Sequence, residues 1–410
     1  MSKEPIQIFE YDSLHIDEKI LPQRSFDALV KFNDRCGNKF FTVGHKKITF
    51  KNYVGLLQVG KLTIEVLPKA DRRAESRDSE KWKSALIQML AMCRLIKLES
   101  LTNADIKLKN RTLFDLYINM FLTELESIIR QGLVKKYHQI QENVAFCKGK
   151  IVFSEHIKQN LVHKERFYNE FDNYDYDNIY NQILLTALDI LRSFPNSHKF
   201  NHRIKRISLM FPEVKLRNIE ASDFERINYD RNTERYKSAL QLARLIILDY
   251  TPDIAAGREN VLAILFDMNK LFEEFVYRLL VRSCEPGWEV KRQCQKDFWR
   301  YDSRAKVVKP DIVVYKDHCR SLVIDTKWKI PDDALPSDAD LKQMYVYHQY
   351  FSVNKTMLLY PEVPRLLSGI FVDTPFECSV KQLSLEFKEN KLDIEKMKGK
   401  VRELVKHESN

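Results

Sequence analysis

Three stretches of different hydrophobic period predict an α+β multidomain chain: a β-rich N-terminal module over residues 1–72, a mainly helical region over 73–252 and an α/β unit over 253–410. With 410 residues, 44% of them hydrophobic, the chain is long enough for two or three domains, each with its own core. The later division falls in "TPDIAAGREN", residues 251–260, where a proline, a glycine and polar residues interrupt two strongly periodic stretches.

In the first module "KFFTV", "KKITF", "VGLLQV" and "LTIEVLP" are short β-favouring runs separated by Gly or Lys turns, and Pro68 ends the last. "GLLQVGKLT" nearly spells a phosphate-binding loop through Gly55, Gly60 and Lys61. Leu62 stands where Ser or Thr is needed, the insert is apolar, and a strand follows in place of a helix, so a hairpin turn is expected. From Ser79, the expected N-cap, Trp82, Leu86, Met89, Leu90 and Cys93 recur at helical spacing. "LFDLYINMFLTELESIIRQGL" repeats the pattern and closes near Gly132. After a β-like interlude at "NVAFCKGKIVF", helices are predicted at "DNIYNQILLTALDILRSF" and "TERYKSALQLARLIILDY". The acidic, aromatic "ERFYNEFDNYDYDN" lacks the D-x-D-x-D-G calcium spacing and reads as a solvated loop. Beyond residue 260 the expected order is a helix ("VLAILFDMNKLFEEFVYRLLV"), a strand ("WEVKRQCQKDFW"), an antiparallel pair ("KPDIVVYKD" and "SLVIDTKWK"), a helix ("DADLKQMYVYHQYF") and a strand ("KTMLLYP").

Lys and Arg exceed Asp and Glu by 67 to 57, a net charge of +10 that favours a polyanionic partner. The start, "MSKEPIQIFEYDS", lacks an apolar signal core, and no run approaches the roughly 18 apolar residues of a membrane span, so no membrane association and a cytoplasmic location are expected. Seven scattered cysteines without a C-x-x-C pair argue against a disulfide framework or a cysteine zinc site and predict reduced, mostly buried thiols.

The strand "SLVIDTKWK" carries the chemistry. Alternation puts Asp325 and Lys327 on one face and Ile324, Thr326 and Trp328 on the other. Alone, such a pair on a half-exposed strand is worth little. "KPDIVVY", however, places Asp311 at the start of the preceding strand, and a "KDHC" turn brings it back toward Asp325 and Lys327. Two convergent carboxylates beside a lysine suit phosphodiester hydrolysis: Asp311 and Asp325 are hard oxygen ligands for Mg²⁺, and Lys327 can position water or stabilise charge on phosphorus.

These residues spell P-D…D-x-K, and with the element order they resemble the PD-(D/E)xK nuclease superfamily, which implies a nuclease core in the C-terminal α/β unit. Gln343 and Tyr347 resemble the Q-x-x-x-Y element of one branch, and Glu273 in "MNKLFEEFV" sits where that branch often has a helix acid. The plainer alternatives are core packing for Tyr347 and a solvated helix face for Glu273. "VGLLQVGKLTIEVLPK", "CKGKIVFSEHIKQN", "MNKLFEEFV" and "LVIDTKWK" together resemble the McrC family, the nuclease subunit of McrBC-type modification-dependent restriction systems, over about residues 45–360. That resemblance implies an McrB-like AAA+ GTPase ring as partner, which recognises modified cytosine in double-stranded DNA and translocates it. It also implies docking and stimulation through the N-terminal part of this chain. A non-catalytic adaptor of an NTPase ring and a stand-alone repair-type nuclease are the alternative expectations.

Overall fold

The computed structural model of the protein describes residues 4–69, 78–95, 112–194, 199–251, 260–302, 304–331 and 335–409. Both predicted divisions, after residues 72 and 252, lie outside them. The fold is a mixed α+β arrangement built on two main sheets.

The first sheet orders its strands Ile6–Phe9, Leu62–Leu67, Tyr53–Val59, Val261–Asp267 and Tyr250–Thr251. Tyr53–Val59 and Leu62–Leu67 form the expected hairpin, with Val59 opposite Leu62 and Gly60 turning at φ +51°. Val261–Asp267 pairs antiparallel with Tyr53–Val59 over its whole length, from Val261 opposite Val59 to Asp267 opposite Tyr53. This corrects the expected helix at "VLAILF". A short apolar run has no period that separates a buried strand from a helix, and here the open edge of Tyr53–Val59 decides. The helix starts only at Met268, where the Asp267 side chain accepts a hydrogen bond from Asn269 N and caps Met268–Ser283. Gly55 is required by that pairing: it holds φ +135°, and a Cβ there would lie 2.2 Å from Ile264 O.

The sheet is buried on both faces. Leu57, Val59, Ile64, Val66, Val261 and Ala263 pack with Leu29 and Phe32 of the helix Gln23–Arg35. Val54, Leu56, Leu262 and Ile264 face the helices Ser79–Met92, Leu113–Arg130, Ile179–Arg192 and Lys237–Leu248, all at or within a few residues of their predicted positions. The first of these is capped by Asp78, not Ser79, through a bond from Lys81 N. "ERFYNEFDNYDYDN" is not a loop: Phe167–Asp175 is the central strand of a three-stranded sheet, paired with Lys136–Val144 and Lys150–Ile151. Its four aromatic residues, Phe167, Tyr168, Phe171 and Tyr174, outweigh its acids.

The second sheet orders Trp288–Arg292, Ile312–Lys316, Cys319–Thr326, Lys355–Tyr360, Glu377–Gln382 and Leu367–Ile370. The last two strands and the helix Ile394–Ser409 lie beyond the expected elements. "WEVKRQCQKDFW" splits in two: Lys296–Tyr301 leaves the sheet and pairs with Arg304–Val308 as a separate ribbon. Alternation sorts the strands' side chains. Ile312, Val314, Leu322 and Ile324 join the core formed with Met268–Ser283 and Ile394–Ser409, while Val313 and Val323 pack against Met344, Tyr347 and Phe351 of the helix Asp338–Phe351. Buried residues from Phe9 and Val54 to Ile324 and Val401 belong to one continuous apolar core, so the two main sheets share packing.

All seven cysteines are free thiols. Only Cys93 and Cys378 are buried, while Cys147, Cys284 and Cys319 are exposed, fewer buried than expected. Among the described residues, no helix is long and apolar enough to cross a membrane.

Candidate active site

Strand register creates the site. Asp317 and His318 both take positive φ (+49° and +66°), forming the tight "KDHC" turn that folds Cys319–Thr326 back on Ile312–Lys316. Ile312 then pairs with Ile324, which brings Asp311, one residue before its strand, to Thr326, one residue beyond Asp325. Asp311 Oδ2 accepts from Thr326 N at 2.8 Å and from Thr326 Oγ1 at 2.9 Å. Asp325 Oδ1 accepts from Gln343 Nε2 at 3.1 Å and lies 3.4 Å from the Tyr347 hydroxyl, while Oδ2 is 2.7 Å from Lys327 Nζ. Lys327 Nζ also donates to Gln343 Oε1 at 3.1 Å, so one amide ties the lysine to the aspartate. Glu273 accepts from Gln293 Nε2 at 3.2 Å, and Gln293 N donates to Asp311 O at 3.0 Å.

The charges of the site act on one another. Burial, with Asp311 next in size, raises Asp325 to about 6, and Asp325 is only 2% exposed. Burial and then the Glu273 charge raise Asp311 as well. For Lys327 burial works against the charged form, yet Asp325 and Asp340 outweigh it and hold the ammonium above its ordinary value. Burial, followed by the Asp325 charge, drives the Tyr347 hydroxyl far up, so it stays a neutral hydrogen-bonding group. Two buried carboxylates share the single nearby Lys327 charge, and the negative charge left over is what a divalent cation would neutralise.

A family model described as McrBC 5-methylcytosine restriction system component matches residues 48–361. The chain belongs to the McrBC family. The matched span includes the strand Tyr53–Val59 and every site residue from Glu273 to Tyr347. No curated protein matches. Among solved structures, the chain is similar to one in the half-complex refined from the tetradecameric assembly of Thermococcus gammatolerans McrB AAA+ hexamers with bound McrC. The TM-score is 0.65 at 22% identity, over 98% of this chain and 100% of that one. A chain of the T. gammatolerans McrBC complex determined by cryo-EM matches with a TM-score of 0.50 at 23% identity, over 68% of this chain and 88% of that one.

In this McrBC family chain, Asp311, Asp325, Lys327, Gln343 and Tyr347 converge, and Glu273 stands at the rim, linked through Gln293. Tyr347 does both things the sequence left open, packing beside Met344 and Phe351 while its hydroxyl reaches Asp325. Sequence reasoning missed Asp340. Buried, it lies 3.3 Å from Lys327 Nζ and 2.8 Å from Lys329 Nζ. Its signal was the S-x-x-D spacing of Ser337 and Asp340: Ser337 accepts from Asp340 N at 3.2 Å and donates to Asp340 Oδ2 at 2.8 Å, opening the helix Asp338–Phe351. Asp340, Gln343 and Tyr347 then fall on one helix face. Thr326, which holds Asp311, and Glu10, which accepts from Trp328 Nε1 at 2.7 Å, also escaped the sequence reading.

The donor set suits a hard cation. Among the described residues, the buried Asp325 Oδ2 has no hydrogen-bond partner and lies 2.7 Å from the Lys327 ammonium. Asp311 engages Thr326 through Oδ2, leaving Oδ1 outside those bonds. Among the described residues no three His, Cys, Asp or Glu side chains gather as ligands. Two carboxylates would suit Mg²⁺, which keeps several of its own waters, better than zinc.

Proposed function

We propose that this chain is the DNA endonuclease subunit of a modification-dependent restriction system: an Mg²⁺-dependent phosphodiesterase with a PD-(D/E)xK core that docks on, and stimulates, an McrB-like AAA+ GTPase ring acting on DNA with methylated cytosine. The observation that carries this reading is that Thr326 holds the Asp311 carboxylate close enough to Asp325 for its charge to raise it, with Lys327 at 2.7 Å from Asp325. Membership of the McrBC family and the likeness to a chain in an McrB–McrC assembly support the partner. A scaffold-only adaptor has no physical need to hold two carboxylates together against a desolvation penalty.

Asp311 and Asp325 would hold Mg²⁺, which when bound polarises a phosphate oxygen and lowers the pKa of an attacking water. The two Thr326 bonds fix the Asp311 carboxylate, and the Gln343 amide fixes Asp325 and Lys327 relative to each other. Lys327, kept protonated by Asp325 and Asp340, supplies positive charge where the phosphorus gains a fifth oxygen. The neutral Tyr347 hydroxyl closes the inner wall of the site.

The test is co-purification with a ring-forming GTPase, followed by cleavage of methylated and unmethylated DNA in Mg²⁺ and GTP. The wild-type chain should cut only methylated DNA and only with the ring, while Asp325→Ala should bind the ring and cut nothing. Cleavage by Asp325→Ala at the wild-type rate would remove the site from the reaction.

A further inference from the structure

Immediately before Asp311 the chain makes the ribbon of Lys296–Tyr301 and Arg304–Val308, which belongs to neither main sheet. Its base is anchored to the helix that carries Gln343 and Tyr347. Lys296 Nζ donates to Tyr350 O at 2.6 Å, the Tyr350 hydroxyl donates to Phe298 O at 3.2 Å, and the Phe298 and Tyr350 rings meet at 5.6 Å. Phe298 is the extra residue of a bulge, and this sets the alternation beyond it. Trp299 pairs with Lys306 and Tyr301 with Arg304, so all four side chains share one face. The two rings lie nearly parallel, 11° apart with centroids at 6.1 Å, and are 55% and 70% exposed. Among the described residues neither Arg304 nor Lys306 has an ion-pair partner, whereas Arg300, on the opposite face, is paired with Asp297.

Stacked, exposed aromatic rings on a free strand pair are costly in water, and two uncompensated cations beside them select a polyanion that also offers flat apolar faces. Nucleic acid is such a ligand. We propose that this face of the ribbon grips the DNA flanking the scissile phosphate, Trp299 and Tyr301 stacking on bases where the duplex opens and Arg304 and Lys306 contacting phosphates. This rests on the nuclease reading of Asp311 and Asp325 and deepens it. Lys306 lies five residues before Asp311, at most ~17 Å of extended chain, so the grip falls within about five nucleotide steps of the cleavage point.

The experiment measures fluorescence anisotropy of the full chain with a short labelled duplex carrying a few unpaired nucleotides at its centre, and with the fully paired duplex. Trp299→Ala/Tyr301→Ala should weaken binding to the opened duplex on the order of tenfold and abolish any preference over the paired one. Arg304→Glu/Lys306→Glu should lower the slope of log affinity against log salt by about two. Quenching of tryptophan fluorescence by DNA should shrink in Trp299→Phe, which keeps a ring and most of the affinity. Affinity within twofold of wild type in both double variants, with quenching unchanged in Trp299→Phe, overturns the proposal. So does loss of ring co-purification with DNA affinity intact, which would make the ribbon a protein contact. Asp325→Asn separates the two readings. If it stops cleavage while the ribbon variants bind normally, only the ribbon proposal falls; if it still cuts, the nuclease assignment falls and the anisotropy result stands by itself.

Discussion

Replacing Asp325 by Asn should make the metal-free protein more stable at pH 8. The carboxylate is 2% exposed, and burial with Asp311 raises it from the ordinary 3.8 to about 6. The folded state therefore binds this proton more tightly than the unfolded chain. Between about pH 4 and 6 the folded protein holds more protons, so stability falls as pH rises; above 6 the penalty is complete, and below 4 it vanishes. About two pH units at ~1.4 kcal/mol each gives a penalty on the order of 3 kcal/mol at pH 8. Asn keeps the shape and the Gln343 contact but forfeits the Lys327 ion pair at 2.7 Å, which Asp340 at 3.3 Å partly replaces. A net gain of ~1–3 kcal/mol remains. Urea denaturation across pH 4–8 should show a flatter stability profile for Asp325→Asn. Adding Mg²⁺ should stabilise wild type at pH 8 and leave the variant unchanged, because only wild type has the charge deficit to fill. An Asn variant less stable than wild type at pH 8 would refute this account, since Lys327, Gln343 and Tyr347 would then more than offset the desolvation of the ionised group.

Lys327→Ala should lower cleavage by the ring-bound chain on the order of a hundredfold or more while leaving DNA affinity nearly intact, as single-turnover assays would show. Trp328→Phe removes the indole donor to Glu10, a buried carboxylate raised by burial to about 7 whose Oε2 has no partner among the described residues. It should destabilise the fold by about 1–3 kcal/mol at pH 8 and less at pH 6, where Glu10 is protonated, as measured by urea denaturation. A fragment ending at residue 250 leaves Tyr53–Val59 without its partner Val261–Asp267. It should be insoluble or aggregate on size exclusion, and a folded monomer would contradict the shared first sheet.

Local signals were enough where spacing alone fixes geometry. Asp311, Asp325 and Lys327 were legible because alternation and the short "KDHC" turn dictate which side chains meet. The hairpin at Gly60 and the helices at Leu113–Arg130 and Ile179–Arg192 were legible for the same reason: their signals lie within a few residues. Tertiary structure alone decided what depends on partners far along the chain. "VLAILF" is a strand because Tyr53–Val59, some two hundred positions earlier, offers it an edge, and Phe167–Asp175 is a strand because Lys136–Val144 pairs with it. Asp340 joins the site only because the helix Asp338–Phe351 packs on the sheet face that carries Val313 and Val323, and Glu10 meets Trp328 only because both main sheets close on one core. Hydrophobic period records how a segment alternates between apolar and polar surroundings, but an apolar run carries no mark of which surface buries it; that is settled by packing, after the local elements exist.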